Sequence, residues 1–170
     1  CPRQRSVGHV ACTSAIPTLF MTIRNVLVAV DFGETSAQTL RAGIDCARRF
    51  GAVLHAIHVV DGDDLAGYSS RQPRASPEQL AADAERTARH GLADALAASQ
   101  APTDARAIVL VSPRVADAIL RYATTEHIDL IAIGRGRRND VAEIFLGSTA
   151  QELVSRAPCP VLTLRAPAHH

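Results

Sequence analysis

This sequence predicts an α/β fold, a single doubly wound sheet of five parallel strands with helices on both faces, and three observations predict it. Short apolar runs alternate along the chain with segments of helical period. Within the runs, consecutive positions are apolar rather than every second one, which suits strands covered on both sides. The runs close on Asp31, Asp61, Ser112 and Gly134, residue types that punctuate the exit from a strand.

The elements follow in order. Val26 to Val30 is an unbroken apolar run closed by Asp31. A helix comes next, with Thr35 or Ser36 as N-cap, apolar positions Ala37, Leu40, Ile44 and Ala47, and Gly51 as the stop. A second run covers Ala52 to Val60 and ends in Asp61-Gly62-Asp63-Asp64. A polar loop to about Ala75 leads into Ser76-Pro77-Glu78-Gln79, a capping box with proline at the first helical position. The third run is Ala105 to Val111, followed by a helix from Val115 to Thr125. The fourth is Ile128 to Ile133, closed by Gly134; a last helix spans Ser148 to Arg156, and Pro160 to Leu164 is the fifth strand. Right-handed crossovers between parallel strands wind such a sheet in both directions. Residues 1–20 follow neither period and are expected to form a disordered N-terminal extension. The domain is expected to span 21–166, with residues 167–170 as a tail.

Composition narrows the function classes. The chain has 170 residues, 47% apolar and 21% charged, close to globular averages. A domain of that length buries roughly 70% of its unfolded surface, enough for a core without metal or disulfide staples. The net charge of +1 supplies no field for nucleic acid or an acidic membrane. Aromatic content of 4% leaves few platforms for stacked bases. No apolar run reaches the roughly 18 residues that span a bilayer. All 18 basic residues besides histidine are arginine, so a P-loop lysine, a Schiff-base lysine and a lysine general base are all excluded. The four cysteines form no Cys-x-x-Cys pair and read as reduced thiols of a cytoplasmic protein.

In a doubly wound sheet, ligands bind beyond the carboxyl ends of the strands, where the strand order reverses. The residues to examine are therefore Asp31, Asp61 to Asp64, Ser112-Pro113, and the stretch from Gly134 onward. That stretch reads Gly134-Arg135-Gly136-Arg137-Arg138, continues from Asn139 to Gly147, and opens a helix with Ser148-Thr149. Glycines after a strand let backbone amides approach phosphate oxygens without a Cβ in the way. Gly147-Ser148-Thr149 brings amides, two hydroxyls and the positive end of a helix dipole to one point. The alternative is a tight turn at Gly134 and Gly136 and a plain helix cap at Ser148. The segment is neither a dinucleotide fingerprint, since Asn139 stands where the third glycine belongs, nor a P-loop.

Other polar residues have simpler readings. Asp61, Asp63 and Asp64 suit a solvated turn better than a cation site, which needs more oxygens. His55 and His58 stand three apart on a strand and face opposite ways, so each is expected to be structural and no metal is expected. Cys159, between two prolines, reads as a packed thiol with no activating histidine.

Taken together these residues resemble the universal stress protein family, over roughly Ile23 to Arg165. The resemblance runs through Val28-Ala29-Val30-Asp31-Phe32, His58-Val59-Val60, Asp129 to Gly134, Leu146-Gly147-Ser148-Thr149-Ala150 and Ala157 to Leu162. It implies a Rossmann-like sheet of order 3-2-1-4-5 and a site for an adenine nucleotide, ATP or else ADP or AMP, with Mg²⁺ held mainly by the phosphates. By that resemblance Asp31 contacts the ribose or the adenine, while Ala29 and Val59 line the base. Ile133 and Gly134 contact the ribose and first phosphates, with Gly147, Ser148 and Thr149 on the distal ones. Asp31 also suits the cap of the first strand-to-helix turn. The family pattern is Gly-x-x-Gly, nine residues, then Gly-Ser/Thr. Here Arg137 stands at the second glycine and Gly136 falls one position early; Ser112-Pro113 replaces a glycine after the third strand. Gly136 can serve with Arg137 neutralising phosphates, or Arg137 can obstruct their path.

The expected function is a cytoplasmic, nucleotide-binding stress-response regulator with no catalytic residue assigned. By the same resemblance it is a homodimer paired through the fifth strands. Two alternatives stand beside it: a dimeric interaction module that has lost nucleotide binding, and a slow ATP hydrolase.

Overall fold

The computed structural model describes residues 22–33, 35–63, 76–134 and 147–164. Five strands, β1 (Asn25–Ala29), β2 (Val53–Asp61), β3 (Arg106–Ser112), β4 (Leu130–Gly134) and β5 (Val161–Leu164), form one sheet. Every pairing is parallel and the order is β3-β2-β1-β4-β5. The expected doubly wound sheet and its strand order are what the fold shows. Among the described residues the longer helices are α1 (Ser36–Phe50), α2 (Pro77–Ala98), α3 (Val115–Thr125) and α4 (Ser148–Arg156).

The alternation of strand side chains sorts the core into two layers. Val26, Val28, Leu54, Ala56 and Ala132 meet Leu40, Ile44 and Ala47 of α1 and Leu92 of α2. Leu27, Ile57, Val59, Ile131 and Ile133 meet Ala118, Ile119 and Ala123 of α3 and Ala150 and Leu153 of α4. Successive residues of one strand thus serve opposite cores, which is why the runs are continuously apolar. β1 sits in the middle, with Val26, Leu27 and Val28 at 0% exposure.

Local signals place the helix ends. The Ser76 hydroxyl accepts from the Gln79 amide, and the Gln79 side chain accepts from the Ser76 amide, each at 3.2 Å. α1 stops at Gly51, whose φ of +63° lies in the left-handed region that favours glycine. The fourth strand starts later than the apolar run does, at Leu130. The Asp129 carboxylate instead accepts the Arg24 and Asn25 amides at 2.8 and 3.0 Å, pinning the chain as it enters β1.

Helix α1 lies close on the sheet because Gly43 faces Val28. A Cβ at Gly43 would stand 2.1 Å from the Val28 Cγ2. Overpacking of this kind costs about 1–3 kcal/mol, against a gain of about 1 kcal/mol in helix propensity for alanine. Gly43→Ala is therefore expected to lower stability by about 1 kcal/mol, read as a fall in the urea midpoint.

His55, 1% exposed, faces the α3 side and its Nδ1 lies 2.8 Å from the Tyr122 hydroxyl. Its Nε2 has no partner among the described residues. Burial holds the imidazole below its ordinary pKa, Arg106 adds to the depression and Glu126 opposes it. The unfolded chain therefore takes up this proton first, near pH ~6.5. The stability tied to neutral His55 is complete above that pH and is lost as pH falls through the window below it. The urea midpoint is expected to drop between about pH 7.5 and pH 5.5, and His55→Phe to flatten that part of the profile.

Candidate functional site

The carboxyl ends of β1, β2 and β4 open onto a cavity of about 580 Å³. Strand order creates it. α1 leaves β1 toward one face, while α4 packs on the other, so the connections diverge where β1 and β4 adjoin. The cavity floor is apolar, built from Ala29, Ile57, Val59, Ile119, Ile133 and Leu153. It continues the α3/α4 core past the point where the strands end. The polar lining comes from Asp31, Ser36, Thr39, Asp61 and Thr149.

Asp31 follows directly on the end of β1. Its Oδ1 accepts from the Gly33 amide at 2.9 Å and from the Ser36 hydroxyl, an Asx turn that launches α1. Both bonds fall on Oδ1, so Oδ2 faces no donor among the described residues. Asp31 therefore organises the first turn and also presents a carboxylate to the cavity.

Gly134 ends β4 against the first turn of α1. A Cβ there would lie 2.6 Å from the Thr35 Oγ1 and 2.8 Å from the Thr39 Oγ1. Both threonines are buried, and the Thr39 hydroxyl donates to the Thr35 carbonyl at 2.9 Å. Packing alone requires a glycine at this position. Gly147 is different. It is the N-cap of α4 at φ −60° and ψ 158°, a conformation open to any residue, and no described atom stands within 4 Å of a Cβ built there. Among the described residues no side chain caps the first turn of α4.

Of the residues singled out in the sequence, Ala29, Asp31, Val59, Ile133, Gly134 and Thr149 line this one cavity. Gly147 and Ser148 stand beside it at the exposed start of α4 and are not part of its lining. Gly136 and Arg137 lie outside the described residues. Sequence reasoning passed over Ser36, Thr39, Ile57, Ile119 and Leu153, which read as ordinary helix or strand positions. His58 also belongs to the lining. Its Nδ1 lies 2.8 Å from the Val30 carbonyl oxygen, and its ring stands 4.5 Å from that of Phe32. His55 and His58 do face opposite ways. The Asp61 carboxylate accepts the Asp63 amide at 2.9 Å, where the chain turns helical at Gly62 and Asp63; Asp64 lies outside the described residues. Burial, with help from Asp129, pushes the Cys159 thiol up, which disfavours the nucleophilic thiolate.

Among the described residues no helix is long and apolar enough to cross a membrane. Comparison with known proteins accords with this architecture. A universal stress protein from Lactobacillus plantarum superposes with a TM-score of 0.62 at 27% identity, covering 84% of this chain and 98% of that one. A universal stress protein solved in complex with cAMP gives 0.58 at 19% identity, covering 86% and 99%. One from Archaeoglobus fulgidus in complex with dAMP gives 0.56 at 22%, covering 84% and 98%. The model of the universal stress protein family matches residues 22–165, and with that match across almost the whole fold the chain belongs to this family.

Proposed function

We propose that the chain binds an adenine nucleotide, ATP or else ADP or AMP, in the β1/β4 cavity. It then acts as a cytoplasmic stress-response regulator rather than a dedicated catalyst. The observation that carries this reading is the polarity of the cavity. One end holds the Asp31 carboxylate, which accepts the Gly33 amide and the Ser36 hydroxyl where β1 hands over to α1. At the other end α4 begins with no side-chain cap among the described residues, so its first amides and its positive dipole end suit an anion. A ligand with a flat base for the apolar floor, sugar hydroxyls within reach of Asp31 and phosphates beyond the sugar at the start of α4 matches all three. The cAMP and dAMP complexes of two proteins with this fold support the same ligand class.

In this reading Ala29 and Val59 line the base, Asp31 accepts from a sugar hydroxyl or the adenine amino group, and Ile133 and Gly134 flank the ribose. Gly147, Ser148 and Thr149 receive the phosphates, joined by Gly136 and Arg137. Mg²⁺ travels on the phosphates. A helix start contributes about 0.3–2 kcal/mol toward an anion, so several donors and a buried purine are needed for micromolar binding, about −8 kcal/mol. Two chains pair through β5, which is an edge strand of the sheet among the described residues.

Calorimetry with ATP and Mg²⁺ tests the proposal directly. Binding near the micromolar range is expected, with an adenine nucleotide found by mass spectrometry of the gently purified protein; absence of both up to about millimolar ATP defeats it. Gly147→Val is the sharper probe. No described atom stands within 4 Å of a Cβ at Gly147, so the urea midpoint should fall only by the cost of a poorer N-cap, about 1 kcal/mol or less, whereas a side chain over the phosphates should weaken ATP by about tenfold or more. Full binding by this variant would remove α4 from the site.

A further inference from the structure

We propose that His58 is a positioning residue that holds Asp31 at the mouth of the cavity. Its effect on ligand affinity rests on the nucleotide reading above; its effect on Asp31 does not.

Asp31 stands between Val30 and Phe32, and His58 on the neighbouring strand engages both. The Val30 carbonyl has no proton to give, so at a separation of 2.8 Å the imidazole Nδ1–H is the donor. The Phe32 ring stacks on the same imidazole, at 4.5 Å and tilted by 41°. Phe32 needs such support. Its φ is +57°, in the left-handed region that a bulky residue occupies only when its surroundings hold it there. Its side chain is 44% exposed, so burial alone does not supply that hold. Gly91 of α2 also lies beside the ring, where a Cβ would come within 3.3 Å. The reversal at Phe32 is what brings the Gly33 amide back onto Asp31 Oδ1 at 2.9 Å. A chain of contacts thus runs from His58 through Val30 and Phe32 to the carboxylate.

The test uses the whole chain in two measurements. Hydrogen exchange of the Gly33 amide, followed by NMR without ligand, reports where the Asp31 carboxylate lies. Calorimetry with ATP reports the consequence. His58→Leu removes the donor and the ring, and is expected to speed Gly33 exchange about tenfold while the Ala132 amide in β4 keeps its rate. His58→Asn, which presents an N–H near the Nδ1 position, should restore most of the protection. ATP affinity should fall about tenfold in His58→Leu, and by less than about twofold when the same change is added to Asp31→Ala. Unchanged Gly33 exchange, equal acceleration at Ala132, or additive effects in the double variant would each overturn the proposal. Should His58→Leu fail to fold, Phe32→Leu removes the ring stack alone and is expected to speed Gly33 exchange about threefold; no change there refutes it equally. If the parent fails to bind ATP, the nucleotide reading falls, and Gly33 exchange still decides the role of His58.

Discussion

The structure depends on a strand that has no polar face. Val26, Leu27 and Val28 are wholly buried although they point alternately to opposite sides of the sheet. Burying each such side chain stabilises the fold by about 1.5–3 kcal/mol, but only if helices cover both sides. A parallel sheet with crossovers on each face meets that condition. β1 therefore takes the centre, β2 and β4 flank it, and the helices following β1 and β4 must part company. The cavity lies where they part.

Because helix packing extends further than the strand ladders do, the cavity has an apolar floor and a polar rim. Helix α1 reaches the end of β4 so closely that only a glycine fits at position 134. Its own first turn is occupied by Asp31 and Ser36. Helix α4 meets the same region from the other face, its first turn uncapped among the described residues. Neither helix start shows a capping side chain among the described residues, but Asp31 adds a carboxylate beside the first, bonded to the Ser36 hydroxyl. The proposed orientation of a nucleotide follows from that difference.

Much of the fold is legible in the residues because it is set by neighbours in the chain. The capping box at Ser76, the stop at Gly51 and the helices at Val115 and Ser148 rest on local hydrogen bonds and local period. The start of β4 is less legible, since Asp129 is recruited by the amides of Arg24 and Asn25, more than a hundred residues away in the chain. Thr39, Ile119 and Leu153 carry no local mark of a site. Each sits inside a helix, and only strand order brings them to one cavity. His58 looked structural from its place in a strand; its link to both neighbours of Asp31 depends on how β2 pairs with β1.

The sequence by itself determined the elements, the two-sided burial of the strands and the end of the sheet where a ligand belongs. Period and punctuation are properties of short segments, so they survive without coordinates. Tertiary structure decided that packing demands a glycine at position 134, and that Asp31 both starts a helix and faces the cavity. Those are questions of what lies within a few ångströms across the chain, and long-range contact is what one-dimensional order leaves open.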